Sequence, residues 1–99
     1  MKLGRIVGTV VSTQKDPKTE GLRFYVVRDV SIDLALKDSF VIAADSVGAG
    51  VGELVLYASG SSARQTTSTN NRPVDATIMA IVDLIDVSGT LVYNKQQEG

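Results

Sequence analysis

The chain has 99 residues, 10 of them basic and 11 acidic, for a net charge of −1. A length of this order makes a single domain, 1–99, around one small core, and the near-neutral balance sets up no field that would draw nucleic acid or an anionic membrane. Cysteine and histidine are both absent, which removes disulfides, thiolate chemistry, the commonest general base and the commonest transition-metal ligand.

The opening MKLGRIVGTVV has one early lysine and no long apolar run, and no window approaches the ~18 apolar residues of a membrane helix. A soluble, cytoplasmic protein is the expectation. Apolar positions then cluster in short runs rich in Val and Ile, bounded by Gly, Asp, Asn, Ser or Pro, which is the pattern of strands. Strands are predicted near Gly4 to Thr13, Leu22 to Val30, Ser39 to Ala44, Glu53 to Ala58 and Thr77 to Val87, with a short tail strand from Thr90 to Tyr93.

Between the first two, QKDPKTEG (Gln14 to Gly21) carries Pro17 and a closing glycine and reads as a charged hairpin loop, with Lys15 and Lys18 solubilising its tip. The segment Ser31 to Lys37, SIDLALK, has little turn chemistry and is expected to be irregular or partly helical. The segment Ser59 to Pro73, SGSSARQTTSTNNRP, is almost without apolar side chains. Only its start suits a helical turn, capped by Ser61 or Ser62, and the rest is expected to be the most mobile part of the chain.

The sum is an all-β protein, a small five-stranded barrel related to oligonucleotide-binding folds, with one short helical turn. Its strands do not alternate apolar with polar. In the first, Ile6 and Val10 face one way and Val7 and Val11 the other; in the fifth, Ile78, Ala80, Val82 and Leu84 oppose Met79, Ile81 and Ile85. A chain of this size has no long amphipathic helix to cover a second apolar face, so a homo-oligomer whose interface continues the core is expected.

The stretch DSVGAGVGE, Asp45 to Glu53, spends three glycines on one connection. A phosphate cradle needs a strand before and a helix after; here a strand follows, and the spacing fits neither common template. The acidic residues Asp45, Glu53, Asp75, Asp83 and Asp86 lack the spacing of a calcium loop or a catalytic carboxylate pair. Ser61, Ser62, Arg64 and Asp75 hold a hydroxyl, a cation and a carboxylate but no base to activate the serine, and Arg64 is better read as pairing with a carboxylate or carbonyl across a contact. A nucleic-acid-binding barrel would need aromatic platforms in a basic groove, and only Phe24, Tyr25, Phe40, Tyr57 and Tyr93 are available. For the glycines, φ > 0 or close backbone approach remains.

One ordered set of residues carries a resemblance over nearly the whole chain: Arg5 to Thr13 with Lys15 and Gly21, Asp45 to Gly50 with Gly52 and Glu53, Gly60 to Arg64, Pro73 to Ala76, Ile78, and Ile81 to Asp83. It resembles the vertex-protein family of bacterial microcompartments, whose members include the carboxysome and ethanolamine-utilisation vertex proteins. The ending Leu91 to Lys95 is more like the carboxysome branch. The resemblance implies a β-barrel assembling as a ring of five, a homopentamer that fills the corners of an icosahedral shell whose facets are hexagonal tiles of another shell family. It implies no enzymatic activity, no cofactor, no metal, no nucleic acid and no membrane partner. A head-to-tail ring needs two different surfaces on each copy, which suits two-faced strands. In such a ring, Gly48, Ala49, Gly50, Gly52, Glu53, Arg64 and Asp75 are expected at a subunit contact or the five-fold axis.

Overall fold

A computed structural model describes residues 1–12, 16–70, 72 and 74–98. The sequence-predicted Thr13, Gln14, Lys15 and Pro73 lie outside the described residues. The strands are β1 (Lys2–Val10), β2 (Phe24–Val30), β3 (Leu36–Asp45), β4 (Leu54–Ser59), β5 (Ala76–Ile81), β6 (Leu84–Val87) and β7 (Thr90–Asn94), followed by one helical turn, α1 (Lys95–Glu98). The first five close a barrel in the order β1-β2-β3-β5-β4, and β6 and β7 form a separate hairpin. All barrel pairs are antiparallel except β3 with β5, which is parallel and short.

Closure is what lets so small a chain hold a core, because it leaves no unpaired edge in the barrel. Ile6, Tyr25, Val27, Ala43, Val55, Tyr57 and Ile78 fill the interior. Gly4 makes room for them: a β-carbon there would stand 2.4 Å from Val27 Cγ1 and 3.1 Å from the Arg28 carbonyl oxygen. A smaller cluster of Val30, Leu54 and Tyr93, with Leu3, Leu34, Val82 and Ile85 against it, seats the hairpin on one end of the barrel.

Two expectations about the fifth strand are corrected. The predicted strand Thr77 to Val87 is two strands, because β4 begins at Leu54 and its last partner is Val82, whose N–H donates to the Leu54 carbonyl at 2.8 Å. Beyond that point the barrel offers no partner, so the chain leaves and pairs with β7 instead. Nor do Ile78 and Ile81 face opposite ways. The register slips at Met79, with Tyr57 opposite Ile78 and Leu56 opposite Ala80, and this bulge turns both isoleucines toward the core. A second bulge, at Val7 in β1, corrects another expectation: Ile6 stays inside and Val7 outside, but the shifted register turns Val10, expected on the side of Ile6, outward.

The segment Ser31 to Lys37 is a tight turn and the start of β3, with no helix. The Asp33 carboxylate accepts from the Ser31 hydroxyl and, at 3.2 Å, from the Ala35 N–H, while Leu34 takes φ 70°. The helical turn at Gly60–Arg64 is present, but its cap position is Ser59 and no side chain caps it. The polar segment after it is organised around Thr69, fully buried, whose hydroxyl donates to the Ala63 carbonyl at 2.8 Å; Thr77 donates to the same oxygen. Among the described residues, no helix is long and apolar enough to cross a membrane.

Candidate functional site

The glycine turn between β3 and β4 is the most specific feature on the barrel. The Asp45 carboxylate folds back to accept the N–H groups of Val47 and Gly48 at 3.1 Å and Ala49 at 3.3 Å. Glu53 closes the other side, accepting the Gly50 N–H at 2.7 Å. Gly52 donates to the Ile6 carbonyl at 2.8 Å, which ties the turn to β1. The donors that would hold a phosphate are thus bound by the chain's own acceptors, and both flanking carboxylates are spent on the turn. Among the described residues, no group of three or more potential metal ligands comes together.

The three glycines have different roles. Gly48 and Gly52 sit at φ 77° and 94°, a region that costs any other L-residue strain, and a β-carbon on either would meet nothing. Gly50 has ordinary φ, and a β-carbon there meets only Glu53 Oε1, at 3.7 Å. The side chain of Ala49 is buried in the barrel interior, and its carbonyl accepts from the buried Tyr25 hydroxyl at 2.9 Å. Val47 and Val51 remain exposed on the rim of the turn.

The structure brings Gly48, Ala49, Gly50, Gly52 and Glu53 together in this turn and places Arg64 and Asp75 elsewhere, at the junction of the helical turn with β5. Arg64 donates to the Val74 carbonyl at 3.2 Å within its own chain. Asp75 keeps its carboxylate exposed while its carbonyl accepts from the Gly60 N–H at 2.8 Å. Outside the barrel lie two apolar surfaces. One, on β1 and β3, presents Val7, Ile42 and Phe40, the last 60% exposed; the other, on the hairpin, presents Leu84, Val87 and Leu91. Three of the five aromatic rings, Tyr25, Tyr57 and Tyr93, are buried and unavailable for stacking on bases.

Sequence reasoning missed a polar cluster around the buried Asp29. Asp29, on β2, accepts from the Tyr57 hydroxyl at 2.5 Å and the Ser39 hydroxyl at 2.6 Å. A lone aspartate inside the apolar run FYVVRDV is the signal that would have pointed to it. Burial raises the carboxyl's affinity for a proton, but the hydrogen bonds from Ser39 and Tyr57 and the charges of Lys2 and Lys37 outweigh it and hold Asp29 below its ordinary 3.8. Burial, then the hydrogen bond to Asp29 and its charge, push Tyr57 up. A carboxyl that ionises lower in the folded chain than in the unfolded one stabilises the fold above the unfolded value, and that contribution vanishes as pH falls through the folded value. Asp29→Asn is therefore expected to cost about 1.5–3 kcal/mol at pH 7, the range for a hydrogen bond to a charged group. Urea unfolding should show the gap to wild type narrowing below pH 3.8; a gap constant with pH would mean the charge contributes nothing.

The chain can now be set beside known proteins. Residues 1–83 match the family described as "Ethanolamine utilisation protein EutN/carboxysome". Over 99 residues the chain is 43% identical to the carboxysome shell vertex protein CcmL of Nostoc sp., covering 99% of this chain and 98% of that protein. The solved structure of Gloeobacter violaceus CcmL superposes with a TM-score of 0.92 at 40% identity, over 97% of this chain and 99% of that one. The pentameric microcompartment shell protein GrpN of Rhodospirillum rubrum superposes with a TM-score of 0.76 at 38% identity, over 88% of this chain and 98% of that one. These relatives are shell vertex proteins and not enzymes, in keeping with a turn whose polar groups satisfy one another and with apolar surfaces left outside a closed barrel. On the match of more than four-fifths of its length and the coincidence of its barrel with theirs, the chain belongs to the EutN/carboxysome family of microcompartment vertex proteins.

Proposed function

We propose that this protein is a structural component of a bacterial microcompartment shell, of the carboxysome type, in which five copies close a ring at each vertex and hexagonal shell proteins form the facets around it. The observation that carries the reading is the likeness to a carboxysome shell vertex protein over the whole chain, 43% across 99 residues with the hairpin and tail included. A radius of gyration of 13.9 Å supports one domain, 1–99, since about 13 Å is usual for 100 residues.

The role is geometric. A head-to-tail ring demands two unlike surfaces on every copy, and the barrel face with Phe40 and the hairpin face with Leu84 and Leu91 supply two unlike apolar surfaces. In this reading the glycine turn, with Gly48, Gly50, Gly52 and Glu53, lies at a subunit contact or the five-fold axis, and Arg64 and Asp75 lie at a contact. Ala49 belongs to the same turn but contributes from inside the barrel, by fixing the turn's depth. The location that follows is the microcompartment shell, within the cytoplasm.

Native mass spectrometry at micromolar concentration is expected to show a species five times the 10.5 kDa chain mass. Co-expression with hexagonal shell proteins should convert open sheets or tubes into closed particles. A stable monomer or dimer that leaves the sheets open would overturn the proposal.

A further inference from the structure

The turn placed at the ring contact is not self-sufficient. Its two pivots, Gly48 and Gly52, have nothing packed where a side chain would be, and glycine loses more freedom on ordering than any other residue. Asp45, Tyr25 and the Ile6 carbonyl hold it from the barrel side, and further contacts come from the far end of the chain. After leaving the barrel the chain makes the β6–β7 hairpin and returns with Tyr93 buried against Val30 and Leu54. The Lys95 N–H then donates to the Asp83 carbonyl at 2.9 Å, fixing the start of α1. From there the Lys95 ammonium reaches Glu53 Oε2 at 2.5 Å, while Glu53 Oε1 holds the Gly50 N–H at 2.7 Å. A second contact runs in parallel: the Arg5 guanidinium donates to the Gly52 carbonyl at 3.0 Å and lies 6.0 Å from the centre of the Tyr93 ring.

From this geometry we infer that the segment Tyr93 to Lys95 is a strap that sets the shape of the glycine turn, with Lys95 acting through Glu53 and Tyr93 through Arg5. Glu53 is the hinge of the arrangement, since each of its carboxylate oxygens serves one side. The family match covers residues 1–83, so the turn lies inside the matched residues and the strap follows them. The inference about assembly rests on the ring reading; the inference about the turn's shape does not.

The test is amide hydrogen exchange at Gly50 in the full-length protein, with ring dissociation on dilution measured in parallel. Lys95→Met keeps the aliphatic stem and removes the charge. It is expected to speed Gly50 exchange by about two- to five-fold, the effect of losing a partly exposed ion pair, while amides in β2 are unchanged. Lys95→Arg should restore the wild-type rate. Gly50 exchange unaltered by Lys95→Met would overturn the strap. Faster exchange with an unaltered dissociation curve would keep the strap and overturn the placement of the turn at the ring contact; faster exchange with easier dissociation supports both.

Discussion

Gly4→Ala is expected to cost about 3 kcal/mol of folding stability or more, the upper range for inserting a methyl group into a packed interior. The added carbon would stand 2.4 Å from Val27 Cγ1, well inside contact distance, and 3.1 Å from the Arg28 carbonyl oxygen. Neither neighbour yields easily. Val27 is β-branched, fully buried and held in the ladder opposite Ile6, and the carbonyl is backbone. A domain of this size has a total stability of roughly 5–15 kcal/mol, so a larger side chain such as Leu at position 4 should leave no folded protein. Urea denaturation of Gly4→Ala measures the cost, and a double-mutant cycle identifies its cause. Val27→Ala removes Cγ1, and it should cost less in the Gly4→Ala background than in wild type. Equal costs in the two backgrounds would show that the clash lies elsewhere.

Nothing in the sequence singles out that glycine, which reads there as the first residue of a predicted strand. The reason is physical: the need for no side chain at position 4 is created by Val27 and the Arg28 carbonyl on the neighbouring strand, which reach it only once β1 and β2 pair in register. The barrel itself was legible, because apolar runs of strand length separated by Gly, Asp and Pro leave few alternatives for a chain without a long amphipathic helix. Less legible was anything decided by partner supply. Thr77 to Val87 reads as one strand, and only the start of β4 at Leu54 ends its ladder. The bulges at Val7 and Met79 likewise reverse the inside and outside of residues that strict alternation would place otherwise.

The candidate site was partly legible. DSVGAGVGE stands out because three glycines in one connection need a reason, and two of them prove to be positive-φ pivots. The interactions that close the turn join residues 24 and 42 positions apart, Tyr25 with Ala49 and Glu53 with Lys95. No local pattern announces such pairs. The Asp29 cluster is the same case, with Ser39 and Tyr57 10 and 28 residues away.

Gly50→Leu is expected to abolish the ring and leave the barrel folded, the largest functional effect expected from a change at a single turn residue. Position 50 separates the two because its φ is one that any residue adopts, and a β-carbon there makes an ordinary 3.7 Å contact with Glu53 and nothing else. Folding stability should therefore stay within about 1 kcal/mol of wild type by urea titration. At Gly48 and Gly52 the same substitution would confuse the outcome, because φ 77° and 94° add about 1–2 kcal/mol of backbone strain to the fold itself. A leucine at position 50 projects from the surface of the single copy, into the volume that a neighbouring copy would occupy if backbones converge there. In a ring the obstruction occurs once at each of five contacts, so a steric cost of only ~2 kcal/mol at each would shift every contact about 30-fold at 1.4 kcal/mol per factor of ten. Sedimentation velocity at micromolar concentration should then show a folded monomer in place of the ring. A pentamer that persists unaltered would mean that the glycines serve only the turn's own geometry, and that the contact surfaces are the barrel face around Phe40 and the hairpin face around Leu84.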